Sequence, residues 1–189
     1  MAVVCLLLQS FASAGQTEIE RQFAAAQVQM LSGGYVGARD NFASVWKEFA
    51  ATLGESSLVT IEARIFYGQA LTMTGKPDEA LTILGPISLG NSRTAMIARG
   101  SFALALRQSG QMDRAVGLLK ELVRIFPNAE PSDLVHLGRL HAELAVCQAY
   151  RNRLKEAEAH AFESLKLIDA GGNPISAELR STSSLGRSI

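Results

Sequence analysis

Apolar positions along this chain recur at the spacing of a helix face. In one stretch Leu104, Leu106, Met112, Val116, Leu118, Leu119, Leu122 and Ile125 follow that spacing on both sides of a Ser109–Gly110 break. Alternating β-branched runs are missing, and Ala and Leu, which carry little helix cost, dominate. The pattern predicts helices throughout. Inside it a smaller pattern appears four times: a small residue, Gly or Asn seven positions later, and Ala five positions after that. The copies are Ala26–Gly33–Ala38, Gly68–Gly75–Ala80, Ala103–Gly110–Ala115 and Ala145–Asn152–Ala157, with closing alanines 42, 35 and 42 residues apart. Self-similarity at such a period predicts a stack of helix hairpins.

Each copy reads as a first helix, a tight turn and a second helix. In the second copy the first helix is expected over Leu58–Thr74, capped by Ser56 or Ser57. The turn is TGKPDEA (74–80). Gly75 permits the left-handed backbone that stops a helix. Pro77 presets the next helix, and Asp78 and Glu79 suit its positive N-terminal end. The equivalent turns are SGGYVGA (32–38), SGQMDRA (109–115) and RNRLKEA (151–157), with Asn152 replacing glycine in the last. The small residues are expected where two antiparallel helices cross closely, since bulky side chains there would hold the axes apart. Phe42, Leu84 and Leu119 on second helices, with Tyr67, Phe102 and Leu144 on first helices, form the expected core. Gly85–Pro86 should end the second helix of copy two near Leu84 and bend the chain through Gly90.

These residues resemble the tetratricopeptide repeat (TPR) family over about residues 19–170. The match is fullest in the third copy, at Phe102, Ala103, Leu106, Gly110, Ala115, Leu119 and Pro127, and nearly so in the second, at Tyr67, Gly68, Leu71, Gly75 and Ala80. The 42-residue spacings are similar to the longer repeats of kinesin light chains and of many bacterial multi-repeat proteins. Gln29 and Gln148 depart from the family pattern, standing where Leu or Tyr is usual, and Ala161 stands where Phe is usual. The resemblance implies an all-α fold, a right-handed superhelical stack of antiparallel helix hairpins. It divides the chain into residues 1–15, four repeats within 16–170 (about 19–55, 56–90, 91–128 and 131–170), and a C-terminal capping helix with a frayed tail at 171–189.

The resemblance also implies that first helices line a concave face used for binding. The family positions carry over to Phe23, Gln27, Met30, Glu62, Gln69, Met73, Arg107, Gln108, Arg139 and Tyr150. Ile65, Leu104 and Val146 share those helices and are expected to serve the core. The Glu- and Gln-bearing end, the Arg-bearing end and the apolar floor between them suit an extended peptide or a partner helix. The clamp for acidic chaperone tails is not implied, because Phe23, Gln27, Ile65 and Gln69 stand where it needs Lys and Asn.

Composition narrows this further. Lys+Arg and Asp+Glu each total 18 in 189 residues, so no global charge draws the chain to nucleic acid or to an anionic membrane. Arg99, Arg107, Arg114 and Arg124 are interleaved with Asp113 and Glu121, not gathered into a one-signed patch. Cys5 and Cys147 do not make a disulfide scaffold. His136 and His141 are five apart on one helix, which places them on different faces and denies the i, i+4 zinc spacing. GPISLGNS (85–92) lacks the ending of a phosphate loop, and the serines have no nucleophile-elbow context. No catalytic residue, metal or cofactor is expected. The reading is a non-catalytic scaffold that binds a protein or peptide, with self-association into a homodimer open. The alternative is a sensor or oligomerisation segment of a larger membrane-linked transcription regulator or kinase.

The first residues, MAVVCLLL followed by FASAG, leave three readings open: a cleaved secretory signal, the remnant of a membrane anchor or of an earlier repeat, and an ordinary core helix. Ala12 and Ala14 fit a secretory cleavage site, which would make the chain periplasmic or secreted. The lack of a preceding Lys or Arg and the shortness of the apolar run count against the signal reading. Without a cleaved signal the expected compartment is the cytoplasm.

Overall fold

A computed structural model describes residues 17–126 and 130–171. The N-terminal segment 1–15, Pro127 and the expected C-terminal cap lie outside the described residues. Among the described residues there are eight α-helices and no strand. They are α1 (Glu18–Leu31), α2 (Tyr35–Leu53), α3 (Leu58–Met73), α4 (Pro77–Leu84), α5 (Arg93–Gln108), α6 (Met112–Ile125), α7 (Pro131–Tyr150) and α8 (Leu154–Ala170), with a 3₁₀ turn at Pro86–Ser88. The chain forms two compact bodies, one ending at Ala115 and one beginning at Val116.

The helix stops follow from local chemistry. Gly33, Gly75 and Gly110 take φ of 84°, 76° and 82°, and Asn152 takes 58°. At each stop two backbone bonds bind the last turn. The N–H of Gly75 donates to Thr72 O at 3.1 Å and that of Lys76 to Leu71 O at 2.9 Å. Gly34, Gln111 and Arg153 repeat the second of these bonds, to Gln29, Leu106 and Gln148 at 2.8, 2.8 and 2.9 Å. This paired closure satisfies carbonyls that a helix end leaves bare.

Helix starts are more varied. Thr17 and Glu20 form a reciprocal capping box on α1, and the Ala95 N–H donates to Ser92 Oγ on α5 at 3.1 Å. Ser57 holds the N-cap position of α3, but its side chain makes no capping bond. Pro77 opens α4 as expected, with Asp78 and Glu79 in the first turn. That helix ends at Leu84 because Pro86 has no N–H to continue it; Ser88 instead donates backbone and hydroxyl hydrogens to Gly85 O at 3.2 and 2.7 Å.

In the first body the helices pack in chain order. Ala26, Ala38, Phe42 and Ala70 form one buried cluster with Phe23, Met30, Phe66 and Tyr67 against it. Leu71, Ala80, Leu84 and Ala105 form the next, flanked by Tyr67 and Phe102. Trp46 on α2 stacks on Tyr67 at 5.8 Å and lies under the Arg64 guanidinium at 5.4 Å, whose Nε donates to Ile83 O. The small residue at Gly68 admits a side chain from its partner helix: a Cβ there would lie 2.6 Å from Leu84 Cγ, and Leu84 is fully buried.

In the second body α7 and α8 run antiparallel along a close seam. Ala145, the small residue expected at the crossing, is only half-buried. A close approach also falls at Gly138, where a Cβ would meet Ile168 Cγ1 at 2.6 Å and Ser164 O at 3.1 Å. A heptad separates these two α7 positions, which places them on the same face of the helix. The family departures at glutamine also have a structural reason. Asn41 Nδ2 donates to Gln29 Oε1 at 2.8 Å, and Gln148 Nε2 donates to Glu156 Oε2 at 2.6 Å. Each glutamine therefore ties the two helices of its hairpin together across the turn.

Replacing Gly75 by Ala should destabilise the chain by about 1–2 kcal/mol, because no atom crowds the site and the loss is the left-handed backbone alone. Asn152→Gly should be neutral or slightly stabilising in the same urea melt. Gly68→Ala should lower stability by roughly 1–3 kcal/mol through overpacking against Leu84, and pairing it with Leu84→Val should recover part of that loss.

Candidate functional site

The candidate surface is the face carried by the first helices of the hairpins. In the first body these are α1, α3 and α5, and α3 packs against both others. Helical spacing puts Glu62, Phe66, Gln69 and Met73 on one stripe of α3. Ala63, Ala70 and Leu71 lie off that stripe and are buried.

The expected site residues divide by how much the fold uses them. Phe23 is half-buried, its ring 5.8, 6.0 and 5.7 Å from those of Phe42, Phe49 and Phe66 in edge-on contacts. Such aromatic packing stabilises the hairpin beyond simple burial. Gln69 Nε2 donates to Ser101 Oγ at 2.8 Å, which cross-links α3 to α5. Ser101 Oγ in turn donates to Ile97 O at 3.3 Å. Met30 is half-buried against the Ala26–Phe42 cluster. Gln27 and Arg107 are half-buried, while Glu62 and Gln108 are exposed and Met73 is 40% exposed. Ile65 is buried as expected of a core residue, and Leu104 is half-buried.

Glu62 is exposed as a residue, and desolvation by its surroundings raises its pKa above the ordinary 4.5. Desolvation disfavours the charged form, which is the cause of that shift. At neutral pH the carboxylate is therefore partly stripped of water, a state that favours a hydrogen-bond donor or cation arriving from outside.

The second body carries Arg139 and Tyr150 on α7, both exposed, Tyr150 at 74%. Val146, expected in the core, is 38% exposed. Here the turn of α7 toward α8 set the exposure, and helical spacing within α7 alone could not reveal it. His136 and His141 do lie on different faces. His136 packs near the Phe126 ring, whereas His141 faces His160 of α8, with their Nδ1 atoms 3.0 Å apart. That meeting, 19 residues apart in sequence, requires the hairpin register and carries no local motif.

No group of three His, Cys, Asp or Glu side chains could hold a metal ion among the described residues. No described helix is long and apolar enough to cross a membrane.

No family model matches the chain, and no curated protein matches it. Among solved structures it is similar to a Podosopora anserina chain described as kinesin light chain nearly identical TPR-like repeats, with 17% identity, a TM-score of 0.55, and coverage of 94% of this chain and 100% of the other. Identity at that level speaks to fold alone, and with the hairpins, the left-handed stops and the buried alanines it gives one conclusion: the chain has the fold of TPR-like helical repeats.

Proposed function

We propose that the protein is a non-catalytic interaction module, and that the first-helix face of α1, α3 and α5 takes a peptide or partner helix. The observation that carries this reading is the α3 stripe. It sets an exposed Met73 and a partly desolvated Glu62 carboxylate on one face, above residues committed to the core. Methionine offers an adaptable apolar contact, and a carboxylate that has already lost water gains more from a donor than a fully hydrated one. Gln27, Arg107 and Gln108 supply hydrogen bonds at the margins. The fitting ligand presents apolar side chains at helical or extended spacing beside a donor for Glu62. Arg139 and Tyr150 are assigned by the same logic to the first-helix face of the second body.

A displayed peptide library selected on the full chain tests this. Peptides recovered with the wild type should lose roughly tenfold or more in affinity on Met73→Asp or Glu62→Arg, a loss of ~1.4 kcal/mol or more. Both variants should keep the helical signal and a cooperative melt, since neither residue is buried in the core. Equal binding to both variants would refute the assignment of the face.

Glu62→Gln should raise the melting temperature at neutral pH. The raised pKa means that the unfolded chain gives up this proton first as pH rises through 4.5, so ionised Glu62 weighs against the folded state above that point. Well below pH 4.5, at about pH 3, where both states are protonated, wild type and Glu62→Gln should melt together. A gap that persists at low pH would trace the effect to packing instead.

A further inference from the structure

At the middle of the α7–α8 seam two imidazoles from different helices face each other. The Nδ1 atoms of His141 and His160 are 3.0 Å apart and the ring centroids 5.2 Å. The centroid distance is close to the sum of the nitrogen gap and the two ring radii, so the nitrogens point almost straight at each other. That is the geometry of an N–H···N hydrogen bond, with one Nδ1 donating and the other accepting. The accepting ring must then carry its own proton on Nε2.

We propose that the His141–His160 pair is a pH-operated latch between α7 and α8, closed while the pair holds at most one positive charge and forced open when both rings are charged. The proton bookkeeping gives two steps. A first added proton goes to the Nε2 of the donor ring, and the Nδ1–H···Nδ1 bond survives in charge-assisted form. A second proton has to take the accepting Nδ1 itself. Two N–H groups and two positive charges then confront each other at the same contact, and no hydrogen bond remains.

The surroundings define the balance. Burial lowers the His141 pKa, the charge of His160 lowers it further, and Glu163 opposes both. Burial and Lys120 of α6 lower that of His160, opposed by Glu156. Glu156 accepts from Gln148 in the same seam, and Glu163 pairs with Lys166 at 3.3 Å. A histidine with a folded pKa below 6.5 binds protons more tightly when unfolded. Its contribution to stability is present above pH 6.5 and is lost as pH falls through the lowered value. Because the two rings interact, the titration belongs to the pair as two separated steps. The seam leaves the rings little slack, since Gly138 already brings the helices to contact at Ile168 and Ser164.

The test is a nuclear magnetic resonance titration of imidazole nitrogens in the full chain, from about pH 8 to about pH 4.5, with amide hydrogen exchange across α7 and α8. The expected result is two histidine steps at least about one unit apart, a tenfold difference in proton affinity. Exchange in α7–α8, corrected for pH, should accelerate with the lower step. In His160→Asn, whose amide still bonds to His141 but does not titrate, His141 should show one step above that lower one, and the exchange change should vanish. Overlapping steps near 6.5 for both rings in the wild type would overturn the latch whether or not the variant folds. Separated steps with unchanged exchange would overturn it too, because the rings would then swing apart without moving the helices.

Discussion

At the turns through Gly33, Gly75, Gly110 and Asn152 one residue sits in left-handed backbone, and the hairpins depend on it. A helix that ends at Gly75 with the Lys76 N–H turned back to Leu71 O leaves in a fixed direction. The next helix must then run antiparallel and close to the first. Ala26 and Ala38, or Gly68 and Leu84, are buried only because that direction is enforced. Asn152 does the same work as the glycines because its short polar side chain tolerates the conformation. Each closure also satisfies carbonyls that would otherwise be bare, so geometry and hydrogen bonding favour the same stop.

The hairpins are not sealed by apolar contact alone. Gln29 with Asn41, Gln148 with Glu156 and His141 with His160 place polar links across helix pairs. Gln148 is fully buried, and its Oε1 has no hydrogen-bond partner. Such a group costs stability, because buried amides left half-satisfied lose their hydration without full return. A polar seam fixes which residues meet more strictly than a greasy one, and it makes the α7–α8 hairpin responsive to protonation in a way the Ala- and Leu-lined pairs are not.

The first-helix face shows how the fold and a binding role divide a single surface. Phe23 and Gln69 hold the face together, one through aromatic edges and the other through Ser101 of the neighbouring first helix. Glu62, Met73 and Gln108 are left outward. Positions that look equivalent in a repeat pattern thus separate into framework and surface once each side chain finds its neighbours.

The sequence by itself determined the helices, their stops and most of the core. Gly75, Pro77 and Pro86 act within a turn of their own position, and the burial of Phe42, Leu84, Leu119 and Leu144 follows from periodicity. Only the tertiary structure decided what crosses from one helix to the next. The close approach at Gly138, the exposure of Val146, the Gln69–Ser101 bond and the His141–His160 pair all depend on how the helices pack. Periodicity fixes which face a residue occupies on its own helix. A slide of one turn along the neighbouring helix changes every partner while leaving that periodicity untouched, and only the packing of whole helices selects among the slides.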